Sequence, residues 1–125
     1  MAITKILLSG GGTDGKPSQS DGTNNHTIHA ASSTATDLDE VWLWACNISA
    51  TDALLKIGWG SSGQVGTQSI LTISKQAGLY LVVPGLLLKG NAGTPKIVNV
   101  ETATSGGSPA ANAINMVGYV NRHSV

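Results

Sequence analysis

The chain has 125 residues with seven basic and seven acidic side chains, and charged residues make up only 11% of it, well under the ~25% of an average soluble domain. That length holds one domain with a real core, residues 1–125, and leaves no room for a second. Zero net charge without a basic run excludes the electrostatic footprint of a nucleic-acid binder, and so little mutual repulsion favours association with other protein surfaces.

The first predicted strand, Ile3 to Ser9, runs into "GGGTDGKP". Gly10 to Lys16 has the spacing G-x-x-x-x-G-K, one residue short of a phosphate-binding loop. Such a loop needs a hydroxyl after the lysine for Mg²⁺ and a helix to present its N-terminus. Here Pro17 follows, and "PSQSDGTNNHT" carries no helical periodicity. The segment 9–25 is therefore read as a flexible Gly-rich arm or loop, with Gly10, Gly11, Gly12, Asp14, Gly15 and Lys16 as its candidate contact residues.

His26 to Ala30 is the next strand. His26 and His29 are three apart, which on a regular strand puts them on opposite faces and prevents joint chelation; they read as ordinary strand-edge histidines. His123, near the end, is expected to be exposed. Asp37, Asp39 and Glu40 cluster just before the longest strand, Glu40 to Ile48. Paired acids do general acid–base work or bind Ca²⁺, but a loop entering a strand is also where solvated acids sit. With no nucleophile, base and orienter that converge, no catalytic, metal or cofactor-binding residue is assigned.

In "EVWLWACNIS" both faces are apolar: Val41, Leu43 and Ala45 on one, Trp42, Trp44 and Cys46 on the other. Cys46 is the only cysteine, which excludes an internal disulfide and a thiolate cluster, and it reads as a buried inert thiol. Ala53 to Trp59 alternates as a half-buried strand, with Leu55, Ile57 and Trp59 sharing a face. Ser69 to Ser74 follows. Gly78 to Val83 and Leu86 to Lys89 are separated at Pro84-Gly85, and Leu79, Leu81 and Val83 oppose Tyr80 and Val82. This stretch is about half a membrane span and is broken by its proline, so no membrane segment is expected; "MAITKILLSG" is too short for a signal segment and reads as a strand. Lys96 to Glu101 and Ala113 to Asn121 complete the set. Short strands separated by Gly/Pro/Asn/Ser turns, with no convincing helix, predict an all-β, single-domain antiparallel sandwich, jelly-roll-like.

A small sandwich has one interior, so strands apolar on both faces require a second cover: a loop, an arm or another subunit. Trp42, Trp44, Tyr80 and Val82 are accordingly candidates for a subunit or capsid interface, with packing beneath a loop as the other reading. Trp42 and Trp44 also suggest a lectin-like sugar platform, although the neighbouring strand residues are apolar.

The segments "MAITKILLSGGGTDGKP", "ATDLDEVWLWACN", "QAGLYLVVPGLLLKGN" and "NMVGYVNRHS" resemble small virion structural proteins of tailed bacteriophages, of the capsid decoration or cement type. The resemblance implies a protein without enzymatic activity or cofactor that binds the outside of the head. Its partners would be the major capsid protein of the same phage and itself, as a homotrimer; nucleic acid and membrane are not among them. It implies synthesis in the host cytoplasm and residence on the virion, with segment 9–25 acting as a lash onto a neighbour. A neck or tail component fits the same pattern.

Overall fold

Every second residue from Asp39 to Asn47 is buried, and the residues between them are only partly covered. That strict alternation makes a strand with one face in a core, and the same pattern organises the molecule. The computed structural model describes residues 1–10, 14–20, 22, 26–60 and 68–125. Its strands are β1 (Ala2–Leu7), β2 (Ser18–Gln19), β3 (His26–Ala30), β4 (Leu38–Asn47), β5 (Ala53–Trp59), β6 (Gln68–Ile73), β7 (Leu79–Lys89), β8 (Ile97–Thr104) and β9 (Ile114–Ser124). No helix occurs among the described residues.

Two antiparallel sheets face each other. One runs β1-β9-β4-β7, with β2 also pairing β9; the other runs β3-β8-β5-β6. With the two-residue β2 set aside, the first, eighth, third and sixth long strands face the second, seventh, fourth and fifth. This interleaving of two Greek keys is the jelly roll. The core between the sheets is aliphatic. Val41 and Leu43 of β4 and Ile114, Met116 and Val120 of β9 meet Leu55 of β5 and Val98 and Val100 of β8, all fully buried.

Three sequence expectations change here. Pro84-Gly85 does not end a strand. β7 continues through it because its register against β4 slips between Val41 and Trp42, and again between Leu43 and Trp44. A bulge accommodates a proline, which has no N–H to give the ladder. The second slip also breaks the alternation: Leu79 and Leu81 stay exposed while Val83 is buried, so Val83 does not share their face. The third change is in β3, where the register shifts between Thr27 and His29. Ile28 and His29 are thereby both buried, so His29, although on the edge strand of its sheet, faces the interior rather than solvent.

Candidate docking face and polar clasp

The outer face of the β1-β9-β4-β7 sheet is assembled by register. Ile3, His123 and Leu38 form one row, Lys5, Asn121 and Glu40 the next, and Leu7, Tyr119 and Trp42 a third. Val117 and Trp44, then Asn115 and Cys46, continue it. On the β7 side Leu87 pairs with Glu40, Pro84 with Trp42, Leu81 with Trp44 and Leu79 with Cys46.

Trp42, Trp44 and Tyr119 lie nearly parallel to one another, with centroids 6.0–6.5 Å apart and interplanar angles of 17–30°. Such offset contacts add to the burial each ring gains. The Lys5 ammonium sits 4.5 Å from the Tyr119 ring centroid, a cation–π contact. Gly85 makes room for this cluster. Its φ is +73°, and a Cβ there would lie 2.7 Å from Cζ2 of Trp42, so the indole rests directly on glycine backbone. Around the rings stand Ile3 (64% exposed), Leu79 (62%) and Leu87 (55%), with Leu7 and Leu81 about half exposed. Exposed apolar side chains clustered on one sheet face make it a candidate interaction surface.

The face is sparing in charge. The Glu40 carboxylate accepts a hydrogen bond from Asn121 Nδ2 at 2.9 Å, which holds its pKa below the ordinary glutamate value. The Trp42 indole N–H is buried beside it without a hydrogen bond of good geometry, as is His123 Nε2. His123 is thus half-buried rather than exposed.

On the other side of the same strands lies a buried polar chain. Both Ser9 N–H and Ser9 Oγ approach His29 Nδ1, at 3.3 and 3.2 Å. Because the amide can only donate, Nδ1 accepts and the ring proton is on Nε2, which faces Asp39 Oδ2 at 2.7 Å. Arg122 closes the chain, Nε to Oδ1 at 2.7 Å and Nη2 to Oδ2 at 2.9 Å. Burial alone would raise the Asp39 pKa, but Arg122 and His29 outweigh it and hold the carboxyl at about 2; in return Asp39 raises that of Arg122. The clasp ties the end of β1 to β3, β4 and β9, joining the two sheets.

The order Ser–His–Asp is that of a nucleophilic triad, and sequence reasoning did not foresee these residues converging. Their wiring is structural. The Nδ1 lone pair that would take the hydroxyl proton already accepts Ser9 N–H. Ser9 Oγ accepts the Ala30 N–H at 2.8 Å, and Arg122 neutralises the carboxylate that would stabilise an imidazolium. The acidic cluster is dispersed as well: Asp37 accepts from Ser32 Oγ at 2.6 Å, Asp39 joins the clasp, and Glu40 faces outward. Among the described residues no three His, Cys, Asp or Glu side chains are grouped to hold a metal.

Of the candidate interface residues, Trp42 and Trp44 share the outer face. Tyr80 pairs with Ala45 and is exposed, away from the ring cluster, whose third member is Tyr119. Val82 packs against the core and lines an apolar cleft of about 280 Å³ with Ile57, Trp59, Ser69, Val83 and Leu86. Of the candidate arm, Gly11 and Gly12 lie outside the described residues. The Gly10 N–H is bonded to the Ile28 carbonyl at 2.9 Å. Asp14, Gly15 and Lys16 are exposed, with Asp14 and Lys16 paired at 3.4 Å. Beyond them β2 pairs Ser18 with Met116 and Gln19 with Asn115, and Ser18 Oγ lies 2.9 Å from His26 Nε2.

No protein-family model and no curated protein matches the chain. Among solved structures, a chain in the structure of infectious bursal disease virus Gx strain aligns with a TM-score of 0.54 and 14% identity, over 97% of this chain and 32% of that one. A chain of the Gt strain aligns with a TM-score of 0.44 and 16% identity, over 97% and 31%. The protein spans about a third of the length of those chains. At that identity the likeness is one of fold: an all-β jelly-roll sandwich of the kind found in a virus structure.

Proposed function

We propose that this protein is a structural component of a virus particle, a decoration or cement subunit that sits on a phage head and bridges neighbouring shell subunits. The observation that carries the reading is the outer face of the β1-β9-β4-β7 sheet, where stacked aromatics and exposed aliphatics await a protein surface. The jelly roll shared with a chain of a virus structure supports it, as does a clasp wired for cohesion rather than turnover. No enzymatic step belongs to this reading. A lash role for segment 9–25 would draw on the exposed Asp14, Gly15 and Lys16, which lie between the bonded Gly10 and β2. The test is peptide mass spectrometry and immunogold labelling of particles purified from the cells that express the gene. Stoichiometric protein on the head supports the proposal; labelling confined to the neck or tail moves the role there; absence from particles refutes it.

A second reading, a saccharide-binding module, is favoured by one observation: the register sets the polar pair Glu40–Asn121 beside the Trp42–Tyr119 rings. A sugar-dependent rise in melting temperature that Trp42→Ala abolishes would select it.

A further inference from the structure

We propose that the outer sheet face docks against a second copy of this chain about a twofold axis running along β9. The argument comes from the register. β9 is the middle of three strands, with β1 on one side and β4 on the other. A twofold axis along it, in the plane between two facing sheets, brings each β1 position opposite the β4 position of the same row on the partner copy. The rows then pair like with like where they are apolar and opposite with opposite where they are charged. Ile3 meets Leu38, Leu7 meets Trp42, and Lys5 meets Glu40, each twice by symmetry.

Charge decides where the axis lies. Lys5 and Glu40 are the only full charges in the central rows, and burying either unpaired is costly. Moving the axis one half-step toward β4 sets Lys5 against Leu87 and leaves it unmatched. An axis on β9 satisfies both charges and makes the contact isologous, as a C2 interface must be. Aligned sheets pack in this way about 10 Å apart. The footprint, about ten residues along β9 and β4 with β1 and then β2 as the third strand, is at most roughly 14 by 33 Å, about 450 Å² per copy. That is below the ~600 Å² per partner at which standard interfaces begin, so the dimer is expected to be weak and reversible. β7 lies beyond the overlap, and its leucines stay available to another surface.

The inference rests on reading this face as a docking surface, and its test separates the two. Sedimentation velocity over a dilution series should show a monomer–dimer equilibrium. Lys5→Glu and Glu40→Lys should each weaken self-association at least ~10-fold by opposing like charges. Mixing the two variants should restore a heterodimer to within about threefold of wild type, because each new charge then faces its opposite across the axis. A trimer, the expectation drawn from the family resemblance, would overturn the pairing, and so would a monomer at every concentration or a mixture that fails to recover. Should either variant lose its fold by circular dichroism, His123→Cys in a Cys46→Ala background tests the same axis. Position 123 lies on that axis, where facing sheets about 10 Å apart hold two cysteines too far apart for a disulfide, so a short bismaleimide should link it to its own copy, and no such crosslink refutes the geometry. A chain that fails here yet is found on particles keeps its virion role; a dimer absent from particles keeps the pairing and loses that role.

Discussion

Asp39→Asn should cost about 3 kcal/mol of folding stability. Arg122 donates two charge-assisted hydrogen bonds to the carboxylate, at 2.7 and 2.9 Å, and bonds of that kind contribute ~1.5–3 kcal/mol each. Two corrections reduce the sum. The Arg122 side chain keeps 27% of its surface exposed, so water recovers part of its solvation, and the amide oxygen of asparagine still accepts from one donor. What remains lies at the lower end of the ~3–5 kcal/mol lost when a buried pair loses one partner. In a domain of this size that is a fall of roughly 10 °C in Tm. The pH dependence has a definite sign. The folded pKa of about 2 lies below the ordinary 3.8, so this group stabilises the fold fully above pH 4–5, and the contribution is lost as pH falls through 2. By linkage it is on the order of 2 kcal/mol. Urea denaturation followed by tryptophan fluorescence at pH 7, 5, 4 and 3 measures both proteins. The gap between them should be constant from 7 to 5 and shrink below. A loss under ~1 kcal/mol at pH 7, or a gap that widens with acid, would refute the account of the clasp.

Gly118→Ala should fail to fold or lose more than ~4 kcal/mol, since its Cβ would collide with the Trp42 carbonyl oxygen across the β4–β9 ladder; soluble yield and melting temperature read this. Gly85→Ala combines a positive φ with a clash against the indole, and should cost ~2 kcal/mol while shifting tryptophan emission. Replacing Leu79 and Leu81 together with serine should leave Tm within a few degrees, because both are exposed, and reduce binding of a hydrophobic dye. Ser9→Ala should cost ~0.5–1 kcal/mol, the lower end of a hydrogen bond's net worth, because the Ser9 bond to the Ala30 N–H is exposed and water can replace it, and a fluorophosphonate probe should leave Ser9 of the wild type unlabelled.

Where alternation was clean, the residues announced their structure. β3 and β5 have the boundaries expected from sequence, and the inward set Val41, Leu43 and Ala45 follows from period two alone. The pattern failed wherever a bulge intervened. Pro84-Gly85 carries the same turn chemistry whether the chain reverses or merely kinks, and nothing local distinguishes the two. The slips in β7 and β3 likewise moved Val83 and His29 to the inside. The site was less legible than the fold. Trp42 and Trp44 are two apart and declare a shared face, but Tyr119 joins them only through strand register. Ser9, His29, Asp39 and Arg122 are scattered along the chain, and only the folded sheets bring them into one chain of hydrogen bonds. β2, two residues long, has no periodicity to find.

The place of β9 also has a consequence for how the protein is made. It is the strand to which β1, β2 and β4 are all hydrogen-bonded, and it is translated after each of them. Among the described residues only β5 with β6 joins sequence neighbours, so most of the ladder must wait for distant segments to meet, which is slow. Until β9 has been synthesised, β1 lacks the strand it pairs with and β4 presents an open edge. An emerging chain is then at its most adhesive, and β9, made after the three strands it joins, is the one that closes the sheet.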